Sequence, residues 1–270
     1  MNKFSKIILL IAATYIACPA ALAQETPLSS QKDPIEITAE QSLEWKRNEK
    51  VFIARQNAKA TQGDVSISAQ TLTAHYRDQN GSGMEIYEMH AENDVVITSN
   101  QSKAFGQKAE YYVDEGKAVM IGDNLRMTSP DQNITARDRF EYWTNDGRVL
   151  AIGDATITRP KPDGGKDTLR ADKIAALLTE NANGERVLHS MEAIGNVVIT
   201  TPTEVLTGAY GIYKADTNKA EVTGDVVIKR GPNILEGKKA EVDLTTNVSR
   251  MFGDEKTGGQ VRGIFYPNSN

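Results

Sequence analysis

The chain has one cysteine, Cys18, so neither a disulfide framework nor a cysteine-built metal centre is open to it. Basic residues are outnumbered, 31 Lys and Arg against 36 Asp and Glu, which gives a net charge of −5 and a pI near 5.4. Nucleic-acid binding needs a basic face against phosphate, and that balance does not supply one. Aromatic residues make up only 6% of the 270 positions. The three histidines, His75, His90 and His189, lack metal-ligand spacing along the chain. No G-x-S-x-G, H-E-x-x-H or phosphate-loop pattern occurs, and Gly81-Ser82-Gly83 reads as a turn. No metal, no cofactor and no enzymatic activity are therefore expected. What remains is an ordinary globular composition, 39% apolar and 25% charged, which excludes disorder, collagen and a polytopic membrane protein.

The N-terminal 23 residues read as a cleavable secretory signal. Lys3 and Lys6 form its charged region, Ile7 to Ala17 its short apolar stretch, and Ala21-Leu22-Ala23 its small-x-small cleavage site. Ile16-Ala17-Cys18 resembles a lipoprotein acylation site, but Tyr15 and Pro19 fit it poorly, and the reading adopted is a cysteine discarded with the signal. Cleavage leaves 247 residues, and loss of the two lysines takes the charge from −5 to −7. A flexible segment, 24–33, is expected before one domain spanning 34–270.

A repeat fills that domain. A small or polar residue followed by apolar, polar, apolar recurs at Asn57, Asp94, Asn124, Asp154, Asn196 and Asp225. A second small marker follows each, at Ala69, Gly106, Ala136, Ala171, Gly208 and Gly237, 12 residues on in five cases and 17 in the fourth. That fourth repeat carries an insertion, Pro160 to Gly165. Between the markers lie β-branched runs with period-2 alternation, such as Val226-Val227-Ile228, and turn residues such as Asp114-Glu115-Gly116 and Asn145-Asp146-Gly147. Asn80-Gly81, Asn181 to Gly184, Asp216-Thr217-Asn218 and Thr245-Thr246-Asn247 recur in the same place. These features predict an all-β fold, a twisted antiparallel β-jelly-roll built from hairpins of about 30 residues, with glycines where strands bend. Leu169 to Thr179 could also form an amphipathic helix, but its place in the repeat assigns it to a strand. Trp45 and Trp143 read as packing residues.

Pro34 to Glu40 and Gln260 to Tyr266 read as extended end segments. With hairpins stacked in order, Ile35, Glu36 and Ile37 at one end and Val261, Arg262, Ile264 and Phe265 at the other would offer edges for strand addition between copies, head to tail. Blunting of each edge by Glu36 and Arg262 is the plainer alternative.

The strand PIEITAEQSLEW (Pro34 to Trp45), the segment ATQGDVSISAQTLTAHY (Ala60 to Tyr76) and units such as Gly224-Asp225-Val226-Val227-Ile228 resemble the OstA-like domain of the lipopolysaccharide transport (Lpt) family. That resemblance implies a soluble periplasmic bridge whose apolar groove shields the acyl chains of lipid A. Its copies would join edge to edge, contacting an inner-membrane LptC-like component and an outer-membrane LptD-like component. Lipid contact carries over from the family to Ile35, Ile37, Ile97 and Tyr111. The repeat adds Ile53, Ile67, Leu72, Val95, Ile157, Ile199 and Ile228 to the expected lining. Two other classes stay open: a structural or adhesive β-solenoid with a solid core, and a polysaccharide-acting enzyme with paired carboxylates in a cleft.

Overall fold

A computed structural model of the chain describes residues 34–79, 83–99, 102–182, 184, 186–246, 248–254 and 258–266. The signal, Cys18, the segment 24–33 and the turn at Asn80-Gly81 lie outside them. The described chain is all-β and jelly-roll-like, with antiparallel registers throughout. It divides into two compact units.

The N-terminal unit holds residues up to Gly153 together with Leu178–Val187. Its strands are β1 (Glu36–Thr38), β2 (Ser42–Lys46), β3 (Val51–Gln62), β4 (Val65–Asp78), β5 (Met84–Ser99), β6 (Ser102–Tyr112), β7 (Lys117–Ile121), β8 (Leu125–Thr128), β9 (Asn133–Ala136) and β10 (Arg139–Trp143). The division falls within β11 (Arg148–Pro160), β12 (Lys166–Glu180) and β13 (Arg186–Thr200). The C-terminal unit continues with β14 (Val205–Lys214), β15 (Lys219–Arg230), β16 (Asn233–Asp243), β17 (Val248–Phe252) and β18 (Arg262–Ile264). Leu169 to Thr179 lies in β12, as the repeat requires.

Most strands run longer than the repeat suggests, because its first marker sits inside a strand everywhere but at Asn124, which lies in the turn before β8. Asn57, Asp94, Asn124, Asp154, Asn196 and Asp225 all adopt the left-handed backbone, with φ between 47° and 59°. Asparagine, aspartate and glycine visit that region at the least cost, which is why these residue types recur there. Gln56, Asn93, Gly153, Gly195 and Gly224, one residue earlier, also have positive φ. The pair forms a β-bulge: β3 advances three residues, Arg55 to Ala58, while β4 moves two, Thr71 to Ala69. The same slip occurs at Glu92 to Val95, Ile194 to Val197 and Thr223 to Val226.

The residue after each marker is buried: Ala58, Val95, Leu125, Ala155, Val197 and Val226 are all at most 1% exposed. Opposite five of them the second marker registers directly, as Ala69, Gly106, Ala136, Gly208 and Gly237. It must be small. A β carbon on Gly106 would lie 2.6 Å from Met120 Cγ, and one on Gly237 2.6 Å from Met251 Cγ. The 12-residue spacing is thus one short hairpin out and back, and the fourth interval is longer because the loop at Lys161–Gly165 is inserted into its hairpin.

Candidate functional site

Residues in direct register share a face of a sheet. In the N-terminal unit one such row reads Ile37, Ala60, Ile67, Ile97, Ala104, Met127, Ile134. A second reads Leu43, Ala54, Leu72, Ala91, Ala109, Met120, Phe140, Ala151. A third reads Trp45, Phe52, Ala74, Met89, Tyr111, Ala118, Tyr142, Val149. None of the three contains a charged residue. They meet at a cavity of about 10 Å³ lined by Ile37, Leu43, Phe52, Ala54, Ala60, Leu72, Ala74 and Met89. The row lying between the second and third has the opposite character: Glu44, Ile53, Thr73, His90, Glu110, Val119, Glu141, Leu150. One face is therefore hydrocarbon and the other mixed polar.

The C-terminal unit repeats the device. Its rows are Ile199, Leu206, Ile228, Leu235; then Ala193, Gly211, Val222, Ala240, Met251; then Met191, Tyr213, Ala220, Val242. From these rows Ile199, Ala193, Gly211, Val222, Met191, Tyr213 and Ala220 line a cavity of about 130 Å³ together with Ile157, Leu169 and Val197. An apolar cavity of about 150 Å³ takes benzene, so this one has room for a short stretch of hydrocarbon. Arg159, Asp167, Thr168, Thr201 and Glu221 are polar residues at its wall, and Lys161 holds Asp167 at 3.0 Å. The Tyr213 hydroxyl donates to Asn218 Oδ1 at 3.1 Å. Burial raises its pKa, with the Arg159 charge acting in the opposite direction.

Of the residues expected to line the groove, Ile37, Ile67 and Ile97 fall in one row, Leu72 and Tyr111 in the next two, and Ile157 and Ile199 on the larger cavity. Ile228 is two places from Ile199 along its row, and Val95 is packed solid beneath a bulge. Ile35 is half-buried just before β1. Ile53 departs from the set: it alternates with the lining residues Phe52 and Ala54 and lies in the polar row beside Glu44 and Thr73. Missing from the expected set are Phe52, Ala54, Met89, Ala91, Met191, Ala193, Ala220 and Val222, all in the apolar rows. A signal for them exists in the sequence, since apolar residues stand three and five places before the markers Asn57, Asp94, Asp154, Asn196 and Asp225.

At the chain's ends, β1 and β2 register against β3, and β17 and β18 against β16. Ile264 is opposite Ile234, Arg262 Nη1 is 3.2 Å from Glu236 Oε2, and Leu43, Val261, Phe265 and Tyr266 are exposed.

Fold and site together define a repeat-built β protein with a hydrocarbon face on each of its two units. The family model described as LptA/(LptD N-terminal domain) LPS transport protein matches residues 36–148 and again 133–248, and the chain belongs to that family. No curated protein matches it. A crystal structure of LptH from Pseudomonas aeruginosa, described as the LptA-homologous periplasmic component of the conserved lipopolysaccharide transport device, aligns with 13% identity over 88% of this chain and 99% of that one. Its TM-score is 0.22.

Proposed function

We propose that this chain is a periplasmic lipopolysaccharide carrier that shields lipid A acyl chains against its apolar rows and acts as one span of a bridge between the inner and outer membranes. The carrying observation is the set of uncharged rows in each unit, backed by a polar face. Exposing a 12- to 14-carbon chain to water costs on the order of 10 kcal/mol at about 0.8 kcal/mol per methylene, so the cargo needs a hydrocarbon surface for the whole crossing. The acidic chain would leave the phosphorylated headgroup outside. The role needs no chemistry on this protein, and the energy for movement comes from elsewhere in the system.

The end strands support the second half of the reading. β1–β2 and β17–β18 offer backbone for strand addition, to another copy head to tail, to an LptC-like component and to an LptD-like one. Ile264→Pro, which removes a backbone donor from β18, should abolish concentration-dependent end-to-end association. Unchanged oligomers in sedimentation would sink the edge mechanism.

The about 10 Å³ cavity of the N-terminal unit favours a second reading, a solid scaffold, because that core is close to filled. Mass spectrometry of an organic extract of the purified protein separates the two. Lipid A species are expected in the extract, and a lipid-free chain that also takes up none on incubation would favour the scaffold.

A further inference from the structure

Along the sequence the histidines have no ligand spacing, yet the hairpin of β4 and β5 brings two of them together. His75 is directly opposite Glu88, and His90 follows Glu88 by two residues on the same strand, so all three share one face. One ligand atom from each lies within 4.8 Å of the other two. We propose that His75, Glu88 and His90 hold a divalent transition-metal ion such as zinc, on the face of the hairpin opposite the apolar rows.

The donor set is the first argument. Two imidazoles and a carboxylate suit zinc and its neighbours, and they leave a fourth position for water. The geometry is the second. A tetrahedral ion about 2.0–2.1 Å from its ligands requires them about 3.4 Å apart. His90 Nε2 and Glu88 Oε1 are already 3.0 Å apart, joined by a hydrogen bond whose proton the ion would replace. The His75 and His90 rings meet edge-on at 5.8 Å, so rotation of His75 closes the set.

The surroundings are the third argument. The register slips between His75 and Tyr76, leaving Tyr87 as an extra residue on β5, and such bulges re-aim side chains beside functional sites. Glu110, opposite His90 on β6, lies 3.9 Å from His90 Nδ1 and is itself held by Lys108 at 2.8 Å and by the Tyr112 hydroxyl at 2.8 Å. A metal-bound histidine ordinarily gives its other ring N–H to such an anchored carboxylate. His90 and Glu88 are about a quarter exposed, open to an ion yet held in place.

The test uses the untagged chain, stripped with a chelator and titrated with zinc against a chromophoric indicator. One equivalent should bind, magnesium should not compete, and zinc should raise the unfolding midpoint. His75→Ala or His90→Ala should weaken binding on the order of a hundredfold or more, and Glu110→Gln by about tenfold. His189→Ala should leave binding unchanged. His90→Gln tests the site apart from folding: it should lose zinc while keeping the metal-free unfolding midpoint. Absence of saturable binding, or binding that survives the His75→Ala/His90→Ala double replacement, would overturn the assignment.

Discussion

Gly211 lines the larger cavity between Ala193 and Val222, and a β carbon placed there would meet Val222, Val197 and the Glu221 carbonyl at 3.7–3.8 Å, ordinary contact distances. Gly211→Val therefore adds its β carbon without displacing a neighbour, and the cavity beside it is the space its two γ carbons are expected to fill. At about 0.8 kcal/mol per carbon the added burial stabilises the lipid-free chain by about 2.4 kcal/mol, and removing a strand glycine adds about 0.5–1 kcal/mol. An acyl chain occupying the same space loses about 2.4 kcal/mol of contact, or about fifty-fold in affinity. Stability and binding thus move in opposite directions, which a variant that simply misfolds does not produce. Urea unfolding measures the first, and displacement of a fluorescent acyl probe by lipopolysaccharide the second. A more stable chain with unchanged lipopolysaccharide affinity would refute the assignment of this cavity to the cargo.

Gly208→Val, three residues away, should do the reverse, because a β carbon there would lie 2.6 Å from Val222 Cγ1; overpacking should cost about 1–3 kcal/mol in urea unfolding. Asp225, left-handed at φ 51°, should tolerate glycine far better than valine, with Asp225→Val costing about 1–2 kcal/mol in the same assay. Glu204 has a side chain only 5% exposed beside Arg230 Nη1 at 3.5 Å, and burial raises its pKa above the ordinary 4.5. The native state then keeps this proton to higher pH than the unfolded chain, so its contribution is full below 4.5 and is lost as pH rises through the raised value. Glu204→Gln should flatten that part of the stability profile above pH 4.5, and an unaltered profile would exclude Glu204 as its source.

The repeat was legible because its residue types are dictated by backbone geometry. Asn57, Asp94 and Asp225 stand where a left-handed φ is needed, and Gly106 and Gly237 where no β carbon fits. The same residue types serve turns and bulges alike, so the sequence could not say that Asn57, Asp94, Asp154, Asn196 and Asp225 lie inside long strands while Asn124 lies in a turn. Facing was harder to read for a related reason. Ile67 and Leu72 are five apart, and strict alternation puts them on opposite faces, yet both are buried because β4 slips against β5 between Ser68 and Thr71. Ile53 is in the polar row, because alternation alone does not say which of Phe52 and Ile53 points to the core. The pairing of His75 with Glu88 depends on the register across a hairpin, which composition and local pattern do not encode. Leu169 to Thr179 shows the opposite case, in which the repeat overrode a helical pattern.

Phe52 and Ile53 are neighbours in sequence on opposite faces of β3, and they offer the most direct test of the hydrocarbon face. A photo-crosslinking residue placed at each in turn, in cells making lipopolysaccharide, should capture the lipid from position 52 and leave position 53 unlabelled. Equal capture at both, or capture at 53 alone, would contradict the account.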